Sequence, residues 1–446
     1  MKLKAFLAHI HNHFPHLTTT KSLLAVSGGM DSMVLATLCL KAKIPFILAH
    51  CNFQLRGSSS DLDELLVRKW AEEHQVPLYC RSFHTMAEAK ERGQSIEMVA
   101  RQLRYEWFEE LMKSQNCDQL LTAHHLNDQL ETFLFNMAKG CGIRGLKGMP
   151  EQHDRLARPL LQFSRKDILA YAKMEGIPFR EDESNQDTQY HRNKIRQNII
   201  PELKKINPEL EHTFRNSQAR IAAADRQLQH WVNSHLENHG DWKQQLFYLP
   251  TSRVFSQKEP TLYLELWLRE YGFNYQQVLQ IAEGHGENSG SLFESGDFAL
   301  QVDRGNFILG QKPQAPPAQI IENSRQTLNL HQFQWQSDTF NVKDFQLEKN
   351  PLIGAFDLDL LQFPLKLRPW KLGDKFRPLG MKGKKKVSDF LIDQKIPILL
   401  KAQTMVLESQ GEIVWLVGYR PDDRFKIGPK TKNIWRIELK QNEITF

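Results

Sequence analysis

Nowhere in this sequence does an apolar run approach the roughly 20 residues that a membrane-spanning helix needs. The N-terminal MKLKAFLAHIHNHF is broken by histidine and asparagine before a secretory core could form. The chain is therefore expected to have no membrane partner and to reside in the cytoplasm. Cysteine is scarce as well: Cys39, Cys51, Cys80, Cys117 and Cys141 are scattered, and no C-x-x-C pair exists for zinc, iron–sulfur or redox work. Reduced structural thiols are the expectation. The P-loop pattern G-x-x-x-x-G-K-[ST] is absent too, which disfavours an ordinary P-loop nucleotide hydrolase. Net charge is small, 58 basic against 52 acidic residues or +6, so bulk electrostatics select no partner.

What is present is an ordinary globular composition, 41% hydrophobic and 25% charged, in 446 residues. At roughly 150 residues per domain that length suits about three domains. From Ser22 to about Leu161, the strand candidates SLLAVS, PFILAHC, VPLYCRSF and DQLLTAH alternate with amphipathic stretches such as SIEMVARQLRYEWFEELM. That alternation predicts an α/β domain on a parallel sheet, with Ile96, Val99, Leu103 and Leu111 on the buried side of one helix. From about Pro201 to Glu283 the pattern is helical, without strand alternation. SLFESGDFALQVDRGNFILG then reads as short strands with Gly-Asp and Arg-Gly turns, and PQAPPAQ as a linker. The remainder is expected to be a small α+β domain, with strand-like VWLVGYR and IWRIEL flanking a helical KVSDFLIDQKI.

The stretch LLAVSGGMDSMVL places two glycines, an acid and two serines where a strand should end at Ser27 and a helix begin near Asp31. Glycines let backbone N–H groups converge without Cβ obstruction, and the helix start adds partial positive charge, so the turn is a seat for phosphate. The Ser27 and Ser32 hydroxyls can donate to phosphate oxygens, while Asp31 can hold magnesium. A plain tight turn with Asp31 as helix cap is the alternative.

Further on, Asp128 and Glu131 are three apart on a helix whose buried stripe is predicted as Leu130, Phe133, Leu134 and Met137, leaving the two carboxylates on the exposed face. Such a pair can ligate magnesium, hold an ammonium group or deprotonate it; equally, Asp128 can be a cap and Glu131 ordinary surface. Arg101 and Arg104, three apart, can face one anion, or Glu97 can pair with Arg101 on a solvated face. Arg192 and Arg196, one turn apart, can grip a phosphate. His50 ends a strand, where an open sheet presents ligands, and reads equally as structural. Between Lys366 and Lys386 there are nine Lys/Arg against one acid, Asp374, interleaved with Trp370 and Phe376. Clustered cations neutralise RNA phosphates and aromatics stack on unpaired bases, so this stretch reads as an RNA contact.

SGGMDS resembles the phosphate loop of the N-type ATP pyrophosphatases, which cleave ATP between the α- and β-phosphates. Within that superfamily the chain resembles the tRNA(Ile)-lysidine synthetases. AHCNFQLRG (Ala49–Gly57) is similar to H-V-N-H-x-L-R-G, with Phe53 in place of a histidine. Glu97, Ala100, Arg101, Arg104 and Tyr105 match E-x-x-A-R-x-x-R-Y, and TAHHLNDQLET matches T-A-H-H-x-D-D-Q-x-E-T except at Asn127. KGCGIRGLKGM (Lys139–Met149) matches G-x-G-x-x-G-L-x-G-M, with Lys139 for the usual arginine. RPLL, EDESN and YHRNKIRQNIIPEL follow, and RPWKLGDKFRPLGMKGKKKVSDFLIDQKIP closes the set. After Pro397 the stretch ILLKAQTMVL lacks the arginine-rich run often found in the family.

The resemblance implies an ATP pyrophosphatase domain over 1–215, a mainly helical central domain with terminal short strands over 216–312, a linker region over 313–350 and a basic α+β tRNA-binding domain over 351–446. It further implies adenylation of the wobble cytidine in the CAU anticodon of isoleucine tRNA, followed by attack of the L-lysine amine. ATP would bind Ser27, Gly28, Gly29, Met30, Asp31, Ser32, His50, Arg101 and Arg104. Catalysis would fall to Asp31, Asp128, Arg192 and Arg196, with Mg2+ on Asp31 and Asp128 and lysine on Asp128 and Glu131. Lys371, Lys375, Arg377, Lys384, Lys385 and Lys386 would meet tRNA, and pairwise homodimers are common in the family. A tRNA cytidine thiolase would need paired cysteines, and a zinc cytidine deaminase would need P-C-x-x-C beside its H-x-E; no C-x-x-C occurs. A non-catalytic RNA-binding protein with a dead nucleotide fold is the rival from a different class.

Overall fold

A computed structural model describes residues 2–55, 57–180, 191–284, 290–329 and 333–441. Two compact units divide the chain, Met1–Gln227 and Leu228–Phe446.

The first unit is built on a six-stranded sheet. Its elements are α1 (Leu3–His13), β1 (Ser22–Ala25), α2 (Met30–Lys41), β2 (Phe46–Asn52), α3 (Ser58–Glu73), β3 (Leu78–Ser82), α4 (Thr85–Arg92), α5 (Ile96–Ser114) and β4 (Gln119–Leu121). After them come α6 (Leu126–Lys139), α7 (Ile143–Leu146), β5 (Gln152–His153), β6 (Leu156–Ala157), α8 (Arg165–Glu175), α9 (His191–Lys194) and α10 (Ile200–Ile206). The strand order is β3-β2-β1-β4-β6-β5, parallel throughout except for the β5–β6 pair. All four strand candidates of this region are strands, although β1 ends at Ala25, before Ser27. Leu23, Leu24 and Leu48 are wholly buried because helices cover both faces of a parallel sheet, so its strands read as apolar runs rather than alternating ones. In α5, Val99, Leu103 and Leu111 are buried as predicted, whereas Ile96, at the first turn, is exposed. The order reverses around β1, whose neighbours are β2 and β4, and their carboxyl ends create the crevice where such sheets bind ligands.

A long helix, α11 (Leu210–His239), contains the division between the units, and the boundary expected near 215 falls within the same helix. Beyond it, β7 (Asp241–Lys243) and β8 (Leu246–Pro250) interrupt the stretch from Pro201 to Glu283, which was expected to be helical without strand alternation. Gln244 and Gln245 turn that hairpin with positive φ, a turn chemistry invisible to a search for glycine or asparagine. Helices α12 (Thr251–Phe255), α13 (Pro260–Leu268) and α14 (Tyr275–Glu283) follow, then β9 (Ser291–Ser295), β10 (Phe298–Asp303) and β11 (Asn306–Gln311). These strands form an antiparallel sheet in the order β7-β8-β11-β10-β9, with Arg304-Gly305 as the predicted tight turn, both at positive φ.

The range 313–350, expected to be a linker, instead carries β12 (Gln319–Ile321), β13 (Thr327–Asn329) and β14 (Phe333–Asn341). Of these, β12 and β14 pair with strands far along the chain, which local composition does not reveal, and β13 pairs with its neighbour β14. Next come β15 (Ile353–Asp357), β16 (Leu365–Pro369), β17 (Lys375–Phe376), β18 (Lys385–Lys386), α15 (Val387–Asp393) and α16 (Ile398–Lys401). The chain closes with β19 (Met405–Ser409), β20 (Glu412–Leu416), β21 (Arg420–Pro421) and β22 (Asn433–Gln441). Two sheets, β12-β16-β19-β20-β21 and β13-β14-β22-β15, enclose a core in which Trp335, Trp415 and Trp435 are fully buried. The five cysteines are free thiols, and no helix among the described residues is long and apolar enough to cross a membrane.

Candidate active site

The turn between β1 and α2 is held open by its own side chains. Ser32, itself buried, accepts the Ser27 N–H at 3.1 Å and donates to the Gly29 carbonyl at 2.9 Å; its Oγ lies 3.3 Å from that of Ser27. Gly28 has φ +85°, and a Cβ there would come within 3.1 Å of the Asp63 carbonyl oxygen, so both conformation and space require glycine. From outside, the Arg180 N–H donates to the Gly28 carbonyl at 3.1 Å, and the Arg180 guanidinium pairs with Asp63 at 2.8 Å. The N–H groups of Met30, Asp31 and Ser32, in the first turn of α2, have no intrahelical acceptor and are the donors expected of an anion seat.

His50 is 3% exposed, and its Nδ1 lies 3.0 Å from the Val26 carbonyl oxygen. Through this contact its ring braces the strand leading into the loop. Burial holds its pKa below the ordinary histidine value, despite the Val26 carbonyl and nearby acids. Arg101 and Arg104 do not act as a pair. Arg101 lies over the Tyr105 ring at 5.1 Å and Arg104 over Phe53 at 5.0 Å. Phe53, standing where the family pattern has histidine, also stacks on Phe83. Arg56, the segment Glu181–Asn185 and the Arg192 side chain lie outside the described residues.

Opposite the loop, α6 begins at Leu126 with Asp128 in its first turn. Asp128 Oδ2 accepts the His125 N–H at 2.8 Å, so the residue is a cap as well as a candidate acid. His125 then joins the two acids: its Nε2 is 3.6 Å from Asp31 Oδ2 and its Nδ1 is 3.3 Å from Asp128 Oδ2. Burial alone would lower the pKa of this imidazole. The carboxylates of Asp128, Asp31 and Glu131 outweigh that and hold it above the ordinary histidine value. For His124, its neighbour, burial outweighs the pull of Asp128, and Arg158, His125 and Arg101 add to it, so its pKa is pushed down to about 4. His125 is a residue the sequence reading passed over, although it stands inside the TAHH motif.

Glu131 is 4% exposed rather than on an open face, and Met137 of the expected buried stripe is 54% exposed. The cause is the π-helical turn Ile195–Ile199, which aims Arg196 at α6. Arg196 Nε and Nη2 take both Glu131 oxygens, at 2.6 and 3.0 Å, and Nη2 reaches Asp128 Oδ1 at 3.5 Å. Burial raises the Glu131 pKa more than Arg196 lowers it. Asp31, His125, Asp128, Arg196 and Glu131 thus form one continuous charged chain beginning at the phosphate seat.

Residues 2–203 match the PP-loop domain family, 243–312 the TilS substrate binding domain and 365–439 the TilS substrate C-terminal domain. The tRNA(Ile)-lysidine synthase of Parabacteroides distasonis is 37% identical over 413 residues, covering 92% of this chain and 94% of that protein. This chain belongs to the tRNA(Ile)-lysidine synthases. The lysidine synthase of Bacteroides thetaiotaomicron is 32% identical over 435 residues, covering 96% and 97%.

One departure from the lysidine synthase pattern now has a physical account. Asn127 donates from Nδ2 to Glu211 of α11 at 2.9 Å and accepts the Arg165 N–H, at the start of α8, at the same distance. An aspartate there would keep the second bond and turn the first into carboxylate against carboxylate. Asn127→Asp is expected to lower stability by about 1–2 kcal/mol, read as a shifted denaturant midpoint at unchanged slope. In the glycine-rich segment, Gly148 has φ +76°, and a Cβ there would meet Gln218 Nε2 at 2.2 Å and Gln129 Oε1 at 2.4 Å. Close packing on the protein itself requires that glycine, where contact with nucleotide or RNA was expected.

The position of His125 gives a pH prediction. A raised folded pKa means that folding takes up a proton, so the stability His125 contributes is complete below the unfolded value of about 6.5 and is lost as pH rises through the folded value. The gap in melting temperature between wild type and His125→Asn should therefore narrow as pH rises from about 6 to 9. A gap that widened would contradict an imidazolium held by Asp31 and Asp128.

In the second unit, β17 and β18 form a two-stranded ribbon that sets Lys375 opposite Lys386. Like charges so placed repel and favour an anionic ligand. Lys371, Lys375 and Lys386 are exposed and have no acidic partner among the described residues, whereas Lys384 meets Glu412 at 3.4 Å and Lys385 pairs with Asp393. Arg377 is half-buried, its N–H donating to Asp422 at 2.7 Å. Phe376 is fully buried against Phe390, so the expected base stacking by Phe376 is corrected to a core role; Trp370 donates its indole N–H to the Lys401 carbonyl. Asp374, the one acid of the stretch, is tied to Arg368 at 2.8 and 3.0 Å and shapes the loop.

Proposed function

We propose that this protein makes lysidine in isoleucine tRNA. The observation that carries the reading is the line of groups from the phosphate seat at Ser27–Ser32 through Asp31, His125 and Asp128 to the Arg196–Glu131 pair. The wobble cytidine carbonyl oxygen attacks the α-phosphorus of ATP and pyrophosphate leaves. The lysine side-chain amine then attacks the adenylated carbon, and AMP departs with the oxygen. Cytosine oxygen is otherwise a poor leaving group, and this explains why a nucleotide-cleaving loop serves a carbon–nitrogen ligase.

In this reading Ser27, Gly28, Gly29, Met30, Asp31 and Ser32 cradle the pyrophosphate end of ATP, and Arg101 approaches from α5. Asp31 Oδ1 is buried without a hydrogen-bond partner among the described residues, which suits a hard cation with oxygen ligands. Asp31 and Asp128 would hold Mg2+, which when bound supplies neutralisation of phosphate charge. Arg196 already satisfies both Glu131 oxygens. A lysine ammonium can use Glu131 only if Arg196 turns to another anion, and the phosphate of the adenylate is such an anion. Arg196 thus links the two half-reactions: it holds Glu131 in reserve until an adenylate forms, then leaves it for lysine. Arg192, beside it on the chain, is assigned to phosphate as well. Lys371, Lys375, Arg377, Lys384, Lys385 and Lys386 contact the tRNA backbone.

Incubation with labelled lysine, ATP, Mg2+ and tRNA carrying a CAU anticodon tests the reading. Lysine-labelled isoleucine tRNA with release of AMP and pyrophosphate is expected. AMP release without label in tRNA, or binding of tRNA with no turnover, would refute it and favour the non-catalytic alternative.

A further inference from the structure

The N-terminal helix carries a histidine cluster that the lysidine reaction does not use. His9 and His13 stand four residues apart on α1, so they share one face, with ring centroids 4.6 Å apart. Glu151, in the segment leading into β5, lies against both: His13 Nδ1 is 3.1 Å from Oε2 and His9 Nε2 is 3.9 Å from Oε1. One donor atom from each residue lies within 4.8 Å of the others. In a tetrahedral zinc site, with bonds of about 2.0–2.2 Å, donors sit roughly 3.3 Å apart. Small side-chain rotations close that difference.

His9 points most directly to a ligand. Its side chain is only 9% exposed, walled edge-on by Phe14 and Phe163, yet Nε2 is buried with no hydrogen-bond partner among the described residues. Buried polar atoms are nearly always satisfied, so an orphan nitrogen aimed at a carboxylate and a second imidazole calls for an electrophile between them. Burial also keeps the His9 pKa below the ordinary value, which leaves a lone pair available. Glu151 is oriented by Gln162, whose Nε2 donates to Oε1 at 2.6 Å.

We propose that His9, His13 and Glu151 bind one divalent transition metal of the zinc type, at a site separate from the Mg2+ position on Asp31 and Asp128. Two imidazoles and one carboxylate select a borderline metal over magnesium or calcium, and half-exposed His13 leaves room for water as fourth ligand. The site would act as a clip. Two residues before Glu151, Met149 is held by Gln129 of α6 through hydrogen bonds of 2.6 and 2.7 Å. The Arg158 N–H also donates to the Glu151 carbonyl at 2.8 Å. A metal on Glu151 would therefore fasten α1 to the segment that α6 also grips.

The test uses full-length protein stripped with chelator and titrated with zinc alone against a chromophoric competitor, without ATP or magnesium. One equivalent of tight zinc and a rise in melting temperature on loading are expected. His13→Ala and Glu151→Gln should each weaken zinc at least about tenfold and abolish the rise; His11→Ala, an exposed neighbour on the same helix, should do neither. Cobalt loading should give the visible absorption of a low-symmetry site, absent in His13→Ala. Wild-type protein that takes up no stoichiometric zinc, or uptake unchanged in both His13→Ala and Glu151→Gln, would overturn the site and leave a plain histidine–glutamate contact.

Discussion

Asp128→Asn is expected to reduce lysidine formation by about a thousandfold while the melting temperature stays close to that of wild type. The separation is possible because Asp128 has two jobs on two oxygens. Oδ2 caps α6 by accepting the His125 N–H, and an asparagine Oδ1 performs that task nearly as well. Charge is what the substitution removes. Without it, His125 loses one of the acids that hold its proton, Arg196 loses its second anion, and a cation between Asp31 and Asp128 loses a ligand. Both half-reactions should fail together, visible as loss of pyrophosphate release in the absence of lysine. Near wild-type turnover would remove Asp128 from the chemistry and leave it a helix cap.

Glu131→Gln should separate the half-reactions instead. A glutamine keeps the shape of a side chain that is almost wholly buried, but cannot pair with an ammonium ion. A charge-assisted hydrogen bond is worth about 1.5–3 kcal/mol, so the KM for lysine is expected to rise between roughly tenfold and a hundredfold. Adenylate formation, measured as lysine-independent pyrophosphate release, should fall far less. A variant that lost adenylation and lysine transfer equally would mean that Glu131 serves only to hold Arg196. The Glu131–Arg196 contact makes this a real alternative in the geometry, and the split between half-reactions decides it.

How much of this was legible beforehand differs from element to element. Strands β1 to β4 and the turn at Gly28 were readable because local chemistry dictates them: short leucine-rich apolar runs bounded by turns, and a glycine whose φ no other residue adopts easily. The helix α15 and the β9–β11 meander were readable for the same reason. The hairpin β7–β8 was not, since its turn uses two glutamines at positive φ. Strands β12 and β14 were missed because their partners, β16 and β22, are remote in sequence and the pairing leaves no periodic trace; β13 is a three-residue strand on the edge of β14. At the site, the acids were found from their spacing, but Glu131 was placed on the wrong side of the surface. Helical periodicity orients a side chain relative to its own helix and says nothing of a π-turn from elsewhere arriving over it.

The sequence by itself determined the glycine turn at Gly28 and the family, because both are written in short contiguous motifs whose backbone demands are local. Only the tertiary structure decided that His125 bridges Asp31 to Asp128, that Arg196 occupies Glu131, that His50 and Phe376 are structural, and that His9 and His13 face Glu151. Each of these depends on charges and donors brought within a few ångströms by packing of distant segments. Coulomb energy and hydrogen bonding fall off over that distance, so no reading of spacing along the chain registers them.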